Sequence, residues 1–309
     1  MNSYISLEEL KRVLEIEEQD DSGVDHILRS FCIKASRFFD TRCTNKILPK
    51  RRFYPAYETR YFPHPVSSSG SVLVPQSRGS AAQLRLCDDL LAIDTLTTNN
   101  GGTTVTSPDY FLYKWPGRVQ PGPFDTIGLL AGGTITAFES DSNPMNANAV
   151  TGWWGYHEDW ANAFENSQQT VVDDPLSDSA TTLTVTDVDA DDINGLPNVF
   201  QSLQLLRIED EYLWASKADP STDTITVVRG VNGTTAVEHL QGTAVYIYRP
   251  MEEIKLGLEY LAMHLYKRKD SVGTPDQRPL AAAKGLLVFP ASMPKEVTDI
   301  IDSYAKDAL

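Results

Sequence analysis

Two carboxylate clusters are the residues of this chain best suited to chemistry. Asp187, Asp189 and Asp191 alternate in DVDADDING, a spacing that could gather oxygens around a hard cation. Glu209, Asp210 and Glu211 are consecutive and could exchange protons with a substrate. Neither pattern is complete. Asp192 stands where an EF-hand loop turns on glycine, and Asn198 where it closes with a bidentate glutamate, so the segment reads as an acidic surface loop. The acidic triplet lies between two apolar runs, at a tight turn that would expose it, whereas a catalytic carboxylate is normally part-buried. The histidines, His26, His64, His157, His239 and His264, are scattered without HExxH or HxH spacing. There is no GxSxG, no P-loop and no GxGxxG after a strand. Cys32, Cys43 and Cys87 are odd in number and lack CxxC spacing, which argues against disulfides and zinc. WWGYHEDW (Trp153–Trp160) could offer aromatic faces to a sugar or a base, but a strand packed on helices would use the same rings as core. The expectation is no catalytic residue, no cofactor and no metal.

Composition bounds the alternatives. The 309 residues carry 41% hydrophobic and 22% charged side chains, the balance of a folded globular chain. No apolar run reaches the roughly 18–20 residues that span a bilayer. The opening MNSYISLEELKR has acids where a secretory signal has a basic start, so folding in a cytoplasm, away from membranes, is expected. A formal charge of −15 disfavours binding through DNA phosphates. An acidic wall beside passing DNA would instead leave it free to slide; solubility alone accounts for the charge equally well.

The elements that must position these residues begin with helices. Ser6 and Glu9 have capping-box spacing, followed by Leu7, Leu10, Val13 and Leu14 on one side. Asp21 or Ser22 caps a second helix, with Val24, Ile27, Leu28, Phe31, Cys32, Ala35, Phe38 and Phe39 at helical spacing. Its other face is basic, with Arg29, Lys34, Arg37 and Arg42. RRFYPAYETRYF reads as an irregular strand pair, and VSSSGSVLVPQSRGS as an exposed loop. Short strands follow in LRLCDDLLAIDTLTT, turning at Asn99–Gly102, then in DYFLYKWP, TIGLLA and AVTGWWGY.

After a polar connector, HEDWANAFENSQQTVVDDPLSDS, the chain changes to evenly spaced strands with no helix between them. TTLTVTDV, LQLLRIEDEYLWASKAD and DTITVVRGVNGTTAVEHLQGTAVYIYR indicate a small antiparallel barrel or sandwich, with hairpin chemistry at Val231–Thr234. Helix returns at Pro250, with Glu252 and Glu253 in the first turn, Lys267, Arg268 and Lys269 at the end, and Ile254, Leu258, Leu261, Ala262 and Leu265 as its stripe. A Gly/Pro/Ala-rich linker and an extended LLVFPASMP lead to a last short helix with Val297, Ile300, Ile301 and Tyr304 on one side.

In order, VTGWWGY (Val150–Tyr156), a helix ending KRKDS (Lys267–Ser271) and a terminal PKEVTDIIDSY resemble the head–tail connector, or neck adaptor, proteins of tailed bacteriophages; the early helix pair and Leu84–Thr97 also fit. Thr226–Gly230, Asn232–Thr234, Ala236, His239, Gly242 and Val245–Tyr246 resemble a β module recurrent in phage structural proteins. The resemblance implies an α+β fold: a helical connector core with a β segment (1–156 and 250–309), carrying an inserted all-β antiparallel domain (175–249). It departs from the family in the insertion itself.

The function implied is a structural virion protein of the neck, assembled in the host cytoplasm. Its subunits form a homo-oligomeric ring, usually of twelve, between the portal protein and a stopper or tail-terminator protein. DNA passes through without sequence-specific binding. Interface candidates are Arg29, Lys34, Arg37, Lys267, Arg268, Lys269, Leu286, Leu287, Val288, Phe289, Val297, Ile300, Ile301 and Tyr304, with the tail after Ser271 ordering on the portal. The alternative is a binding module whose inserted domain recognises a glycan or another virion protein.

Overall fold

The structure, a computed structural model, describes residues 2–16, 22–43, 51–64, 82–114, 123–268 and 293–305. The expected capping box starts the first helix, α1 (Leu7–Val13): Ser6 Oγ accepts from Glu9 N, and the Glu9 carboxylate accepts from Ser6 N, each at 2.9 Å. Three more helices follow, α2 (Ser22–Arg42), α3 (Glu252–Arg268) and α4 (Lys295–Ser303). The periodic stripes meet in one core of Leu10, Leu28, Cys32, Phe39, Leu258 and Val297. Polar groups reach it as well. Asp40 is buried and accepts from the Tyr4 hydroxyl at 2.6 Å, and Tyr4 Oη accepts from Phe53 N. Burial outweighs this bond and raises the Asp40 carboxyl to about 6.

The helices carry two antiparallel six-stranded sheets. The first contains β1 (Ala56–Phe62), β2 (Gln83–Thr98), β3 (Thr103–Val105), β4 (Tyr110–Tyr113), β5 (Phe124–Leu129) and β6 (Asn148–Trp154). Its order is β1-β6-β2-β5-β4, with β3 folded back on β2 at the expected Asn99–Gly102 turn. RRFYPAYETRYF forms one strand rather than a pair, because β1 finds its partner in β6, nearly ninety residues on, with Ala56 opposite Trp154. The long loop 66–80 falls in a stretch, 65–81, that lies outside the described residues.

The second sheet contains β7 (Phe164–Thr170), β8 (Thr182–Thr184), β9 (Leu205–Ile208), β10 (Glu211–Asp219), β11 (Thr224–Val228) and β12 (Ala244–Tyr248), ordered β7-β12-β9-β10-β11-β8. It curls around Leu206, Ile208, Leu213, Ile225 and Val245, and its edges touch at the Val171–Val185 bridge. Among the described residues no ladder closes it into a barrel. Two sequence readings change here. The sheet begins at Phe164, inside the segment that reads as polar connector, because β7 is an edge strand that buries only Ser167. Val231–Thr234 is not a hairpin turn, since β11 and β12 are not neighbours. Asn232 and Gly233, at φ +56° and +87°, turn a long connection towards the first sheet. A Cβ on Gly233 would lie 2.0 Å from the Tyr57 carbonyl oxygen, so only glycine fits there.

The second sheet interrupts the helical unit without separating it. Arg249 N donates to Ala163 O at 2.8 Å, which brings the two ends of the insertion together. Tyr156, before the insertion, shares a core with Ile254, after it. The insertion is also tied to the helices. Leu7 N donates to Ser202 O, Ser202 N to Glu8, Arg29 to Ser202 Oγ, and the Tyr248 hydroxyl to Phe53 O. Asn2 and Asn232 pair through both side-chain amides, at 2.8 and 3.1 Å.

Candidate functional site

The acidic triplet sits at the β9–β10 turn, as its position suggests, with Glu209 and Asp210 exposed. Glu211 does not share their exposure. It is the first residue of β10 and points with Leu213 into the curled sheet, its carboxylate fully buried. Arg229 donates to both of its oxygens at 2.6 Å, Gly230 N and Val237 N donate at 3.0 and 3.1 Å, and His239 Nε2 lies at 2.9 Å. Burial pushes the Glu211 carboxyl up, but Arg229, the Val237 N–H, His239 and the Gly230 N–H outweigh it and hold the group below the usual range. Arg229 also donates to the carbonyls of Ser177 and Val237, and His239 Nδ1 reaches Glu209 at 2.8 Å.

This knot accounts for the spacing of Arg229, Gly230 and His239: they fold the connection between β11 and β12 around one carboxylate. The side chains of Glu211, Arg229 and His239 are enclosed by protein, which suits a structural role. This corrects the reading of the whole triplet as exposed: Glu211 alternates with Leu213 and Ala215 on the inward face of β10.

The aspartates rearrange. Carboxylate oxygens of Asp187 and Asp189 lie within 4.8 Å of each other and of Asp223, not Asp191. Asp223 enters from the turn before β11 at φ +51°, where it accepts from Val188 N. A hydrogen bond with Asp187 raises the Asp189 carboxyl above its ordinary range.

Trp154 and Tyr156 are core, as the packed-strand reading expects. Trp153 bridges the two sheets: it stacks on Tyr212 of β10 with centroids 4.6 Å apart. Trp160 stands 6.4 Å from Trp153, and Phe164 5.1 Å from Tyr212.

The interface candidates separate into groups. Arg29 is taken up by Ser216 O and Ser202 Oγ, inside the chain's own contact between α2 and the insertion. Lys34, Arg37 and Lys267 are exposed, and Arg268 ends α3. Lys269 and Leu286, Leu287, Val288 and Phe289 lie outside the described residues. Val297, Ile301 and Tyr304 are buried, and Ile300 is part-buried, against the chain's own helices. Arg51 fastens α4 by donating to Tyr304 O, and the Tyr304 hydroxyl donates to Glu253 at 2.7 Å. The apolar side of α4 is thus filled from within, which corrects its assignment as a docking face: amphipathicity shows that a face is buried, not what buries it.

Comparison of the chain with family models, with curated proteins and with solved structures finds no match.

Proposed function

We propose that the chain is a structural adaptor of a tailed-phage neck, forming a homo-oligomeric ring, usually of twelve, between the portal and a stopper or tail-terminator protein, with DNA passing through it. The observation that carries this reading is the core that runs from VTGWWGY at the end of β6 to the basic-ended α3. Tyr156 and Ile254 share it although ninety-odd residues of the second sheet lie between them in sequence. Among the described residues, Tyr156, α3 and α4 therefore share one core as well as following one another in sequence.

Apolar surface on the helices supports assembly. Leu256 and Tyr260 are exposed one turn apart on α3. A groove of about 490 Å³ between α2 and α3 is walled by Phe31, Phe38, Leu261 and Leu265. A neighbouring subunit in a ring would cover such surface. No helix among the described residues is long and apolar enough to cross a membrane. The reading is tested by light scattering and negative-stain microscopy of the chain with its portal. Ring-shaped complexes are expected; a chain that stays monomeric with the portal under all assembly conditions would sink the idea.

A further inference from the structure

Where the two sheets meet, a cleft of about 320 Å³ opens between β2 and β6 on one side and β9 and β10 on the other. Trp153, Trp160, Phe164 and Tyr212 form its apolar wall. Arg207 of β9 supplies a donor edge. Its guanidinium carbon lies 4.6 and 4.8 Å from the centroids of the Phe164 and Tyr246 rings, which hold it in place. Among the described residues the Arg207 side chain makes neither a hydrogen bond nor an ion pair, and its Nε is enclosed without a partner. The remaining guanidinium N–H groups of Arg207 are donors that a ligand oxygen in the cleft can take up. Glu209 and Asp210, exposed at the adjoining turn, complete the rim with acceptors.

This combination discriminates between ligand classes. An anion would satisfy Arg207 but meet two carboxylates; a cation would meet the guanidinium. A neutral polyol suits every group, because its hydroxyls accept from Arg207 and donate to the carboxylates. A pyranose adds C–H faces that pack on aromatic rings. The volume lies at the small end of the roughly 300–1,000 Å³ range of ligand pockets, and sites between domains are common.

We propose that this cleft binds a neutral pyranose, the terminal sugar of a glycan. The inference does not depend on ring formation. Saccharide binding and assembly are separate readouts, and either can fail alone.

The full chain is screened on a glycan array, and the best hit is titrated as the free saccharide by tryptophan fluorescence. Saturable binding to neutral glycans is expected. Asp210→Asn and Arg207→Lys should each weaken it at least tenfold, the loss of one charge-assisted hydrogen bond. Asp210 is exposed, so its variant should melt like wild type and report binding alone. Three results would overturn the proposal: no saturable binding to any glycan or to methyl pyranosides at tens of millimolar, exclusive binding of acidic sugars, or affinity unchanged in both variants.

Discussion

Replacing Glu211 by Gln keeps the side chain's shape and removes its charge. The wild-type carboxylate accepts from Arg229 twice and from two backbone N–H groups, and it contacts His239. Glutamine offers one acceptor oxygen and turns an amide NH₂ towards groups that are themselves donors. Arg229, only 6% exposed, is left as a buried charge without its partner. Breaking one side of such a pair costs about 3–5 kcal/mol. For a chain of this size that lowers the melting temperature by on the order of 10 °C. Glu209→Gln is the internal comparison. Glu209 reaches the same knot through His239, yet its side chain is 60% exposed, so the loss should stay within about 1 kcal/mol. Calorimetric melting at neutral pH measures both. A third variant, Glu211→Gln with Arg229→Met, removes the stranded charge and should melt above Glu211→Gln alone. A Glu211→Gln melt within 2 °C of wild type, or a double variant whose loss is the sum of the two single losses, would refute the reasoning.

Three further outcomes follow from the same geometry. The Asp40 carboxyl is raised from an ordinary 3.8 to about 6, so the folded state holds a proton that the unfolded state releases. Stability from this group is full below about pH 4 and is lost as pH rises through 6, on the order of 3 kcal/mol in all. Asp40→Asn should remove that slope from denaturant melts between pH 4 and 7, and an unchanged slope would count against it. Gly233→Ala forces a Cβ onto the Tyr57 carbonyl at positive φ, so it should destabilise by more than about 1 kcal/mol in thermal melts; a neutral substitution would show that the sheets do not meet there. Truncation after Gly273 removes Val297, Ile301 and Tyr304 from the helical core, roughly 1.5–3 kcal/mol for each side chain. The truncated chain should be largely unfolded by circular dichroism, and a stable truncated body would mean that α4 is dispensable.

What the sequence disclosed depended on whether local pattern sufficed. The stripe from Val24 to Phe39 and the Ser6–Glu9 box specify helices by themselves, and both form. The alternation around Leu205–Ala215 specifies two strands and a turn. It did not disclose Glu211, because three consecutive acids look solvated until the inward face of β10 is followed through them. FENSQQT hid β7: an edge strand needs a partner more than an apolar face. Asn232–Gly233 supplied the expected left-handed residues, but the same backbone serves a hairpin or a crossover, and only pairing with distant strands decides. The cleft was the least legible feature. Its walls come from Trp153, Phe164, Arg207 and Tyr212, which only the docking of one sheet on the other brings together.

The central claim is assembly. A cryo-EM reconstruction of the chain bound to its portal tests it most directly. A closed ring of subunits, usually twelve, with the α2–α3 surface covered by a neighbour and an open axial channel, is the expected result. A portal without the chain attached, or with single copies that do not touch one another, would contradict it.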